Sequence, residues 1–440
     1  MRVGVRGVCA AAVFTLLASG FPAAAGAAGS CFDPDAPTTV EQGRLGDDVA
    51  VEILRRSGFD RLAGEFEQEL CGVDTLEDAK RFVRSGGGRL WEAAVDRAQG
   101  REPAVGDLPA EDDRPLYWAR LHMTRSLARW QPGFELGPAE RAELVASFER
   151  ESRGHSSVEV QPGVKRVLVS GFDPFQLDED IRRSNPSGAV ALALDGTVLD
   201  TPSGPARVEA VMFPVLWEPF EQGIVERAFL PHVRPGPEQV DLFATVSQGR
   251  PERFDVERWN GRWHQGADND REVREGGVIT VPPDLPTIDP QPEFVPTTQP
   301  YAEIVAADTG RFPVFDNTEV TEIPSGETEP VTRPDGPTPG SQARQGGGGS
   351  YLSNEVAYRT TLLRDAVGAE IPGGHVHTPI LEFGPGNTTE ITDPVFEASR
   401  RDINAQFRNI LAVAVDAGVT GDPFQRSVTP RSGPLSPPSM

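Results

Sequence analysis

The segment KRVLVSGFDPF, residues 165–175, decides how the chain is expected to fold. It begins with a short, dense run of β-branched and aliphatic residues that stops at Gly171. Such runs suit a strand that is covered on both faces, as in a parallel sheet. The segment therefore predicts the first strand of an α/β layer.

Strand-like and helix-like segments alternate after this first strand. The strand-like runs are residues 208–216, 240–248 and 375–383, and the helix-like runs are residues 218–230, 353–369 and 393–418. Alternation of this kind is typical of a layered α/β domain. We predict an α/β fold with a mostly parallel central sheet flanked by helices.

The sequence before the first strand has a different spacing of apolar residues. Apolar side chains recur at three-to-four spacing from residue 49 to residue 70, which predicts helices. We assign residues 30–158 to a helical accessory domain and residues 159–420 to the α/β domain. A Pro-rich, acidic segment at about 276–343 is expected to form long surface loops that are partly extended, with a short helix or strand near residue 301. Residues 421–440 are Pro/Ser-rich and are expected to be disordered.

Residues 1–29 have the layout of a secretory signal peptide. Arg2 and Arg6 give a basic start, an apolar run follows from residue 8 to about 17, and Ala-rich sequence then offers small-residue cleavage sites. The run is too short to span a membrane. We expect a secreted or extracytoplasmic protein. A lipoprotein anchor at Cys31 is less favoured, because the preceding Ala-Gly-Ser lacks a large aliphatic residue.

The cysteine content indicates the redox compartment of the protein, and the charge content indicates which classes of partner are not expected. Outside the predicted signal peptide only Cys31 and Cys71 remain, so either a disulfide in an oxidising compartment or two buried thiols is expected. The formal net charge is −24, from 66 acidic and 42 basic residues. Such a surface repels nucleic acid and anionic membranes, and neither is an expected partner. The sequence does not predict the oligomeric state.

Two polar clusters follow predicted strands, where sites of α/β proteins are built. In the first, Phe172 and Phe175 either anchor a loop in the core or form an apolar slot for a small ring. In the second, Gln248 follows a strand, and Glu257 with Arg258 could be no more than a solvated ion pair.

Two more clusters lie near the C-terminus. Ser353 follows a glycine run at the predicted start of a helix, where it is either a helix cap or a nucleophile. His375 and His377 are expected to point to opposite faces of a strand. Zinc ligation by these two histidines and Glu382 is therefore disfavoured, and no metal or other cofactor is predicted.

A nucleophilic site accounts for these residues better than a metal site. A small nucleophile at a helix N-terminus gains from the positive end of the helix dipole, and glycines let backbone donors approach an oxyanion. A histidine can act as general base and a carboxylate can orient it. Ser353, His377 and Glu257 are the candidates for these roles.

Together the clusters resemble the pyroglutamyl peptidase I (pyrrolidone-carboxylate peptidase) family. Four motifs occur in the family's order between about residues 164 and 418. They are Gly171-Phe172-Asp173-Pro174-Phe175 with Asn185-Pro186-Ser187; Gln248 with the VERWN segment that contains Glu257; Gly349-Ser350-Tyr351-Leu352-Ser353-Asn354; and GGHVHTP, which contains His377.

The resemblance implies a sheet between helices and removal of N-terminal pyroglutamate from peptides. It implies that Phe172 and Phe175 line the slot for the pyrrolidone ring, with Gln248 close by. The main departure is Ser353 where the family has its nucleophilic cysteine. A cysteine can be stored as a thiolate, with a pKa lowered from ~8.5 to roughly 3.5–7.5, whereas serine must lose its proton to His377 during attack.

Three functions remain open from the sequence. The first is an exported hydrolase that works by acyl transfer through Ser353, His377 and Glu257. The second is a catalytically inactive relative that binds peptide ends or another partner. The third is an exported structural protein whose function resides in its helical domain.

Overall fold

The computed structural model describes residues 31–101 and 105–419. The predicted signal peptide and the predicted disordered tail lie outside the described residues. The helices are α1 (Val40–Gly43), α2 (Asp48–Ser57), α3 (Phe59–Leu70), α4 (Leu76–Ala98), α5 (Arg114–Arg129), α6 (Pro138–Glu151), α7 (Pro186–Leu194), α8 (Trp217–Glu221), α9 (Ile224–Val233), α10 (Tyr301–Ala306), α11 (Leu352–Ala366) and α12 (Pro394–Gly418). The strands are β1 (Lys165–Phe172), β2 (Val198–Leu199), β3 (Ala206–Phe213), β4 (Leu242–Gln248), β5 (Phe254–Glu257), β6 (Trp259–Gly261), β7 (His264–Ala267), β8 (Val273–Gly277), β9 (Phe294–Pro296), β10 (Val314–Asn317), β11 (Val320–Ile323), β12 (Val331–Arg333), β13 (Gln342–Gln345) and β14 (Gly373–Thr378).

A seven-stranded sheet organises the fold, in the order β10-β5-β14-β4-β1-β3-β2. The pairs β1–β3, β1–β4, β4–β14 and β5–β10 are parallel, while β5–β14 and β2–β3 are antiparallel. The predicted fold class is confirmed: the chain is α/β, with a mostly parallel sheet between helices.

The two faces of the sheet pack against different helices. Successive strand residues point to opposite faces. Val167 of β1 therefore joins the core that contains Phe407 of α12, whereas its neighbour Leu168 joins the core of Leu352 at the start of α11. The near-continuous apolar run of β1 is explained by this burial on both faces.

Helices α1–α6 precede the sheet and share an apolar core with it. Their apolar core continues into Ala210 and Met212 of β3. Cys31 and Cys71 are disulfide-bonded, with their Cα atoms 5.8 Å apart, so the alternative of two free thiols is wrong. No helix among the described residues is long and apolar enough to cross a membrane. The boundaries assigned to the helical domain stay predictions.

The Pro-rich segment is more ordered than the sequence predicts. The short helix expected near residue 301 is present as α10. The segment also supplies strands β9 to β12, and β10 joins the edge of the central sheet, parallel to β5. The segment was expected to be partly extended, but the pairing of β10 with the central sheet was not predicted. A four-residue strand close to prolines gives too short an alternating pattern to detect from sequence.

Candidate active site

The first turn of α11 presents Ser353. Tyr351 occupies the N-cap position and Ser353 is the second helical residue, so the interpretation of Ser353 as a helix cap is wrong. Its hydroxyl donates to the carbonyl oxygen of Gly348, 3.0 Å away. Gly348 belongs to a tight turn in which Gly346 and Gly349 exchange backbone hydrogen bonds of 2.9 and 3.0 Å. Gly349 has φ +82°, a conformation that favours glycine.

A histidine–carboxylate pair lies at the end of two neighbouring strands. His377 Nδ1 is 2.7 Å from Glu257 Oε1, and both side chains are buried. The interpretation of Glu257 and Arg258 as a solvated ion pair is wrong, because Arg258 pairs with Asp316 instead. In the tautomer that donates Nδ1–H to the carboxylate, the His377 ring is fixed and Nε2 is the nitrogen that could accept a proton.

The two histidines share one face of β14. Their ring centroids are 4.6 Å apart and the planes meet at 80°. The expectation that His375 and His377 point to opposite faces is wrong, since residues two apart on a strand lie on the same side. Even so, no group of three or more His, Cys, Asp or Glu side chains in residues 31–101 and 105–419 could hold a metal ion.

His375 takes part in a second, separate hydrogen-bond network. Its Nδ1 lies 2.8 Å from Thr245 Oγ1 and its Nε2 lies 2.8 Å from Ser247 Oγ, both on the adjacent strand β4. The imidazole is completely buried, and burial together with the neighbouring His377 holds its pKa well below 6.5. His375 is therefore a neutral hydrogen-bonding residue.

A small pocket opens between the strand ends and the start of α11. Its volume is about 30 Å³, roughly the room of a few water molecules. The structure thereby brings four predicted site residues together, and five other residues complete the wall. Its lining is Phe172, Phe175, Asn185, Val215, Ser247, Gln248, Tyr351, Leu352 and Ser353.

The loop that carries Phe172 and Phe175 is held in place by hydrogen bonds and ion pairs. Asn185 caps α7 through Ser187 and donates to the carbonyl oxygen of Asp173, 2.9 Å away. The Asp173 carboxylate is buried and receives Arg120 and Arg153, each at 2.6 Å. Both arginines come from the helical region before β1. That region therefore fixes the aromatic wall of the pocket.

Ser353 and His377 approach the same glycine turn without bonding to each other. A Cβ atom built on Gly348 would lie 3.0 Å from His377 Cε1, so the turn contacts the imidazole directly. Among the hydrogen bonds of the described residues, none joins Ser353 Oγ to His377. The site thus contains a serine hydroxyl, an imidazole and a carboxylate in one region, with the hydroxyl turned toward the Gly348 carbonyl.

Sequence reasoning missed two residues that hold this site together. Asn317, the last residue of β10, donates to Glu257 Oε2 at 2.7 Å and to the Gly347 carbonyl at 3.1 Å. Asn354 accepts from the Gly261 amide and donates to its carbonyl, which fastens the start of α11 to β6. Asn354 lay next to Ser353 in a quoted motif, whereas no sequence signal marked Asn317.

Fold and site together define an α/β protein in which a helix-terminal serine lines a small pocket and a histidine–carboxylate pair contacts the adjacent glycine turn. The family models described as "PA0049 N-terminal domain" and "PA0049, C-terminal domain" match residues 23–149 and residues 166–289 with 311–382. An uncharacterized protein, PA0049 of Pseudomonas aeruginosa, is 35% identical over 82% of this chain and 84% of its own. The chain belongs to the PA0049 family.

Solved structures of peptidases are more distant. A mutant pyrrolidone carboxyl peptidase from Pyrococcus furiosus is 19% identical, covers 57% of this chain and 98% of its own, and has a TM-score of 0.37. Pyroglutamyl peptidase I from Bacillus amyloliquefaciens is 19% identical, covers 57% of this chain and 96% of its own, and has a TM-score of 0.37. Pyrrolidone carboxyl peptidase from Thermococcus litoralis is 19% identical, covers 62% of this chain and 100% of its own, and has a TM-score of 0.36. At this level of similarity, no activity is transferred from these enzymes.

Proposed function

We propose that this protein is a hydrolase that removes N-terminal pyroglutamate from peptides by acyl transfer through Ser353. The observation that carries the proposal is the 2.7 Å contact between His377 Nδ1 and Glu257 Oε1, beside a pocket that contains Ser353. A carboxylate-oriented histidine next to a helix-terminal hydroxyl is the arrangement that nucleophilic catalysis requires. The four pyroglutamyl-peptidase-like motifs supply the substrate class.

The proposed reaction begins with a rotation of the Ser353 hydroxyl. It leaves the Gly348 carbonyl and turns its proton toward His377 Nε2, which accepts that proton as Oγ attacks the substrate carbonyl. The imidazolium that forms is stabilised by Glu257. The oxyanion is stabilised by N–H groups in the first turn of α11, which have no partners within the helix. The histidine then protonates the leaving amine, and water releases pyroglutamate from the serine ester.

The activity is tested with the full chain and a chromogenic pyroglutamyl amide. We expect turnover by the natural protein and a loss of at least about 1,000-fold in Ser353→Ala, since the nucleophile is removed. Ser325→Ala is the matched control, because Ser325 is exposed in a loop after β11, and it should keep full activity. Absence of turnover by the natural protein at high concentration would refute the proposed reaction.

One observation favours the second candidate function, an inactive relative that binds peptide ends. The Ser353 hydroxyl is bonded to Gly348 rather than to His377. A site shaped for sulfur also holds a shorter serine side chain too far from the carbonyl, and a misplacement of about 1 Å can cost ~100-fold in rate. If Ser353→Cys cleaves the amide while the natural protein binds it without turnover, the binding function replaces the hydrolase.

We also propose that the protein is exported. The disulfide between Cys31 and Cys71 is typical of proteins in oxidising compartments. A Cys31 sulfur that is bonded to Cys71 cannot also carry a lipid, which favours a secreted protein over a lipoprotein. Fractionation of producing cells tests this proposal. Recovery of the full-length chain in the cytoplasm alone would contradict it.

A further inference from the structure

A second serine, Ser247, lines the same pocket and is held more firmly than Ser353. It is the penultimate residue of β4 and is almost fully buried. Its Oγ lies 2.8 Å from His375 Nε2. The question is which of the two atoms carries the proton, because that decides what Ser247 can offer to a ligand.

The next residue on the same face of β4 indicates the position of the proton. Thr245 Oγ1 lies 3.2 Å from the carbonyl oxygen of Gly374, which can only accept a hydrogen bond, and 2.8 Å from His375 Nδ1. The arrangement that satisfies both contacts has Thr245 donating to the Gly374 carbonyl and accepting from His375 Nδ1, so we infer that Nδ1 carries the hydrogen. A neutral imidazole has one such hydrogen, which leaves Nε2 bare. Ser247 consequently donates to His375 Nε2.

This assignment leaves Ser247 Oγ with only lone pairs for the pocket. Its single proton is committed to His375, so the oxygen can accept a hydrogen bond from a ligand but cannot donate one. The surrounding wall includes the apolar side chains of Phe172, Phe175 and Val215. An acceptor that cannot also donate discriminates between ligands by requiring a donor opposite it.

We propose that Ser247, oriented by His375, is a specificity-determining acceptor for a ring N–H of the ligand, such as the lactam N–H of a pyroglutamyl group. This inference deepens the proposed function and rests on it for the identity of the ring. It does not make Ser247 a nucleophile. His375 would then have to become a buried imidazolium beside His377, while the Glu257 carboxylate is bonded to His377.

Calorimetry with two matched ligands tests the acceptor. The full chain carries Ser353→Ala, so that no ligand is cleaved. The ligands are L-pyroglutamamide and its lactone analogue, 5-oxotetrahydrofuran-2-carboxamide, in which a ring oxygen replaces the N–H. We expect the lactam to bind about 10-fold more tightly, because the lactone sets one acceptor against another. The added change Ser247→Ala should reduce this preference to less than about 2-fold.

Two further variants keep the result specific. His375→Phe keeps the ring but frees the Ser247 proton, and it should also reduce the lactam preference if Ser247→Ala fails to fold. Val215→Ala trims the wall without touching the acceptor, and it should weaken both ligands equally.

The outcomes separate this inference from the proposed reaction. Binding without a lactam preference, or a preference that survives both Ser247→Ala and His375→Phe, overturns the acceptor and leaves the hydrolase standing. A lactam preference that depends on Ser247, in a natural protein without turnover, supports the acceptor and removes the hydrolase. Absence of binding by either ligand overturns the acceptor, while the turnover assay with the natural protein decides the hydrolase separately.

Discussion

Asn317 donates a 2.7 Å hydrogen bond to Glu257 Oε2, so a strand of the Pro-rich segment holds the carboxylate that faces His377. The two residues are directly paired in the parallel register of β5 and β10. The same amide donates to the carbonyl of Gly347, which lies in the glycine turn before Ser353. Asn317 therefore couples the Glu257 carboxylate to the loop that presents Ser353.

Replacement of Asn317 by alanine should impair the chemical step more than binding. The Glu257 carboxylate loses one of its two anchors, so the His377 ring is held less firmly. We expect kcat for a pyroglutamyl amide to fall about 10-fold with KM nearly unchanged, as for a group that acts on orientation. Asn409→Ala is the control, because Asn409 bonds Thr309 from α12, which packs on the opposite face of the sheet. Equal effects of the two variants would remove the positioning role.

The glycine turn makes a paired test of local geometry. A Cβ on Gly347 would lie 2.1 Å from Glu257 Oε2, so Gly347→Ala must displace the carboxylate. A Cβ on Gly349 meets nothing within 4 Å, but its φ of +82° makes alanine strained by about 1–2 kcal/mol. We expect Gly347→Ala to lose most activity, and Gly349→Ala to lose stability while it keeps more activity. Kinetics and denaturant unfolding of both variants measure the difference.

The sequence predicted which residues lie close together at the site better than it predicted the hydrogen bonds between them. Motifs at strand and helix ends were sufficient to select Phe172, Phe175, Gln248 and Ser353, which all line one pocket. Their positions follow from parallel strands that end at a common edge. The catalytic roles of Ser353, His377 and Glu257 stay predictions.

Contacts that depend on tertiary pairing could not be predicted from the sequence. Asn317 comes from a short edge strand in a segment that has the composition of a loop. The partner of the Ser353 hydroxyl depends on the direction of the Gly348 carbonyl, which only the fold of the turn determines. The predicted orientation of His375 was wrong for a different reason. Side chains alternate along a strand, so residues 375 and 377 lie on the same face, as the structure shows.

The disulfide between Cys31 and Cys71 should contribute measurably to stability. It closes a loop with a sequence separation of 40, and the chain-entropy model gives about 4 kcal/mol for a loop of that size. We expect a double Cys31→Ala, Cys71→Ala variant to lose roughly that free energy of unfolding by denaturant titration. A reductant should lower the stability of the natural protein but not that of the variant. Unchanged stability in both tests would show that the bond is not formed in solution.

Glu41 should make the free energy of unfolding depend on pH. It lies where the helical region contacts the loop that carries Phe172 and Phe175. Its buried carboxylate accepts from Tyr117 and from Asn269, each at 2.9 Å, and Asn269 also donates to the Pro174 carbonyl. Burial, with the nearby Asp173 charge, raises the pKa of Glu41 from 4.5 to about 7. The folded protein therefore binds this proton more tightly than the unfolded chain.

The stability that this proton provides is fully present below about pH 4.5 and is lost as the pH rises through about 7. Glu41→Gln cannot ionise. It should therefore be more stable than the natural protein at pH 8, by roughly 3 kcal/mol, and the difference should shrink toward zero at pH 4.5. Denaturant titrations across this range measure it, with Glu303→Gln, a change at an exposed glutamate, as the control. A Glu41→Gln offset that does not change with pH would show that Glu41 titrates alike in the folded and unfolded states.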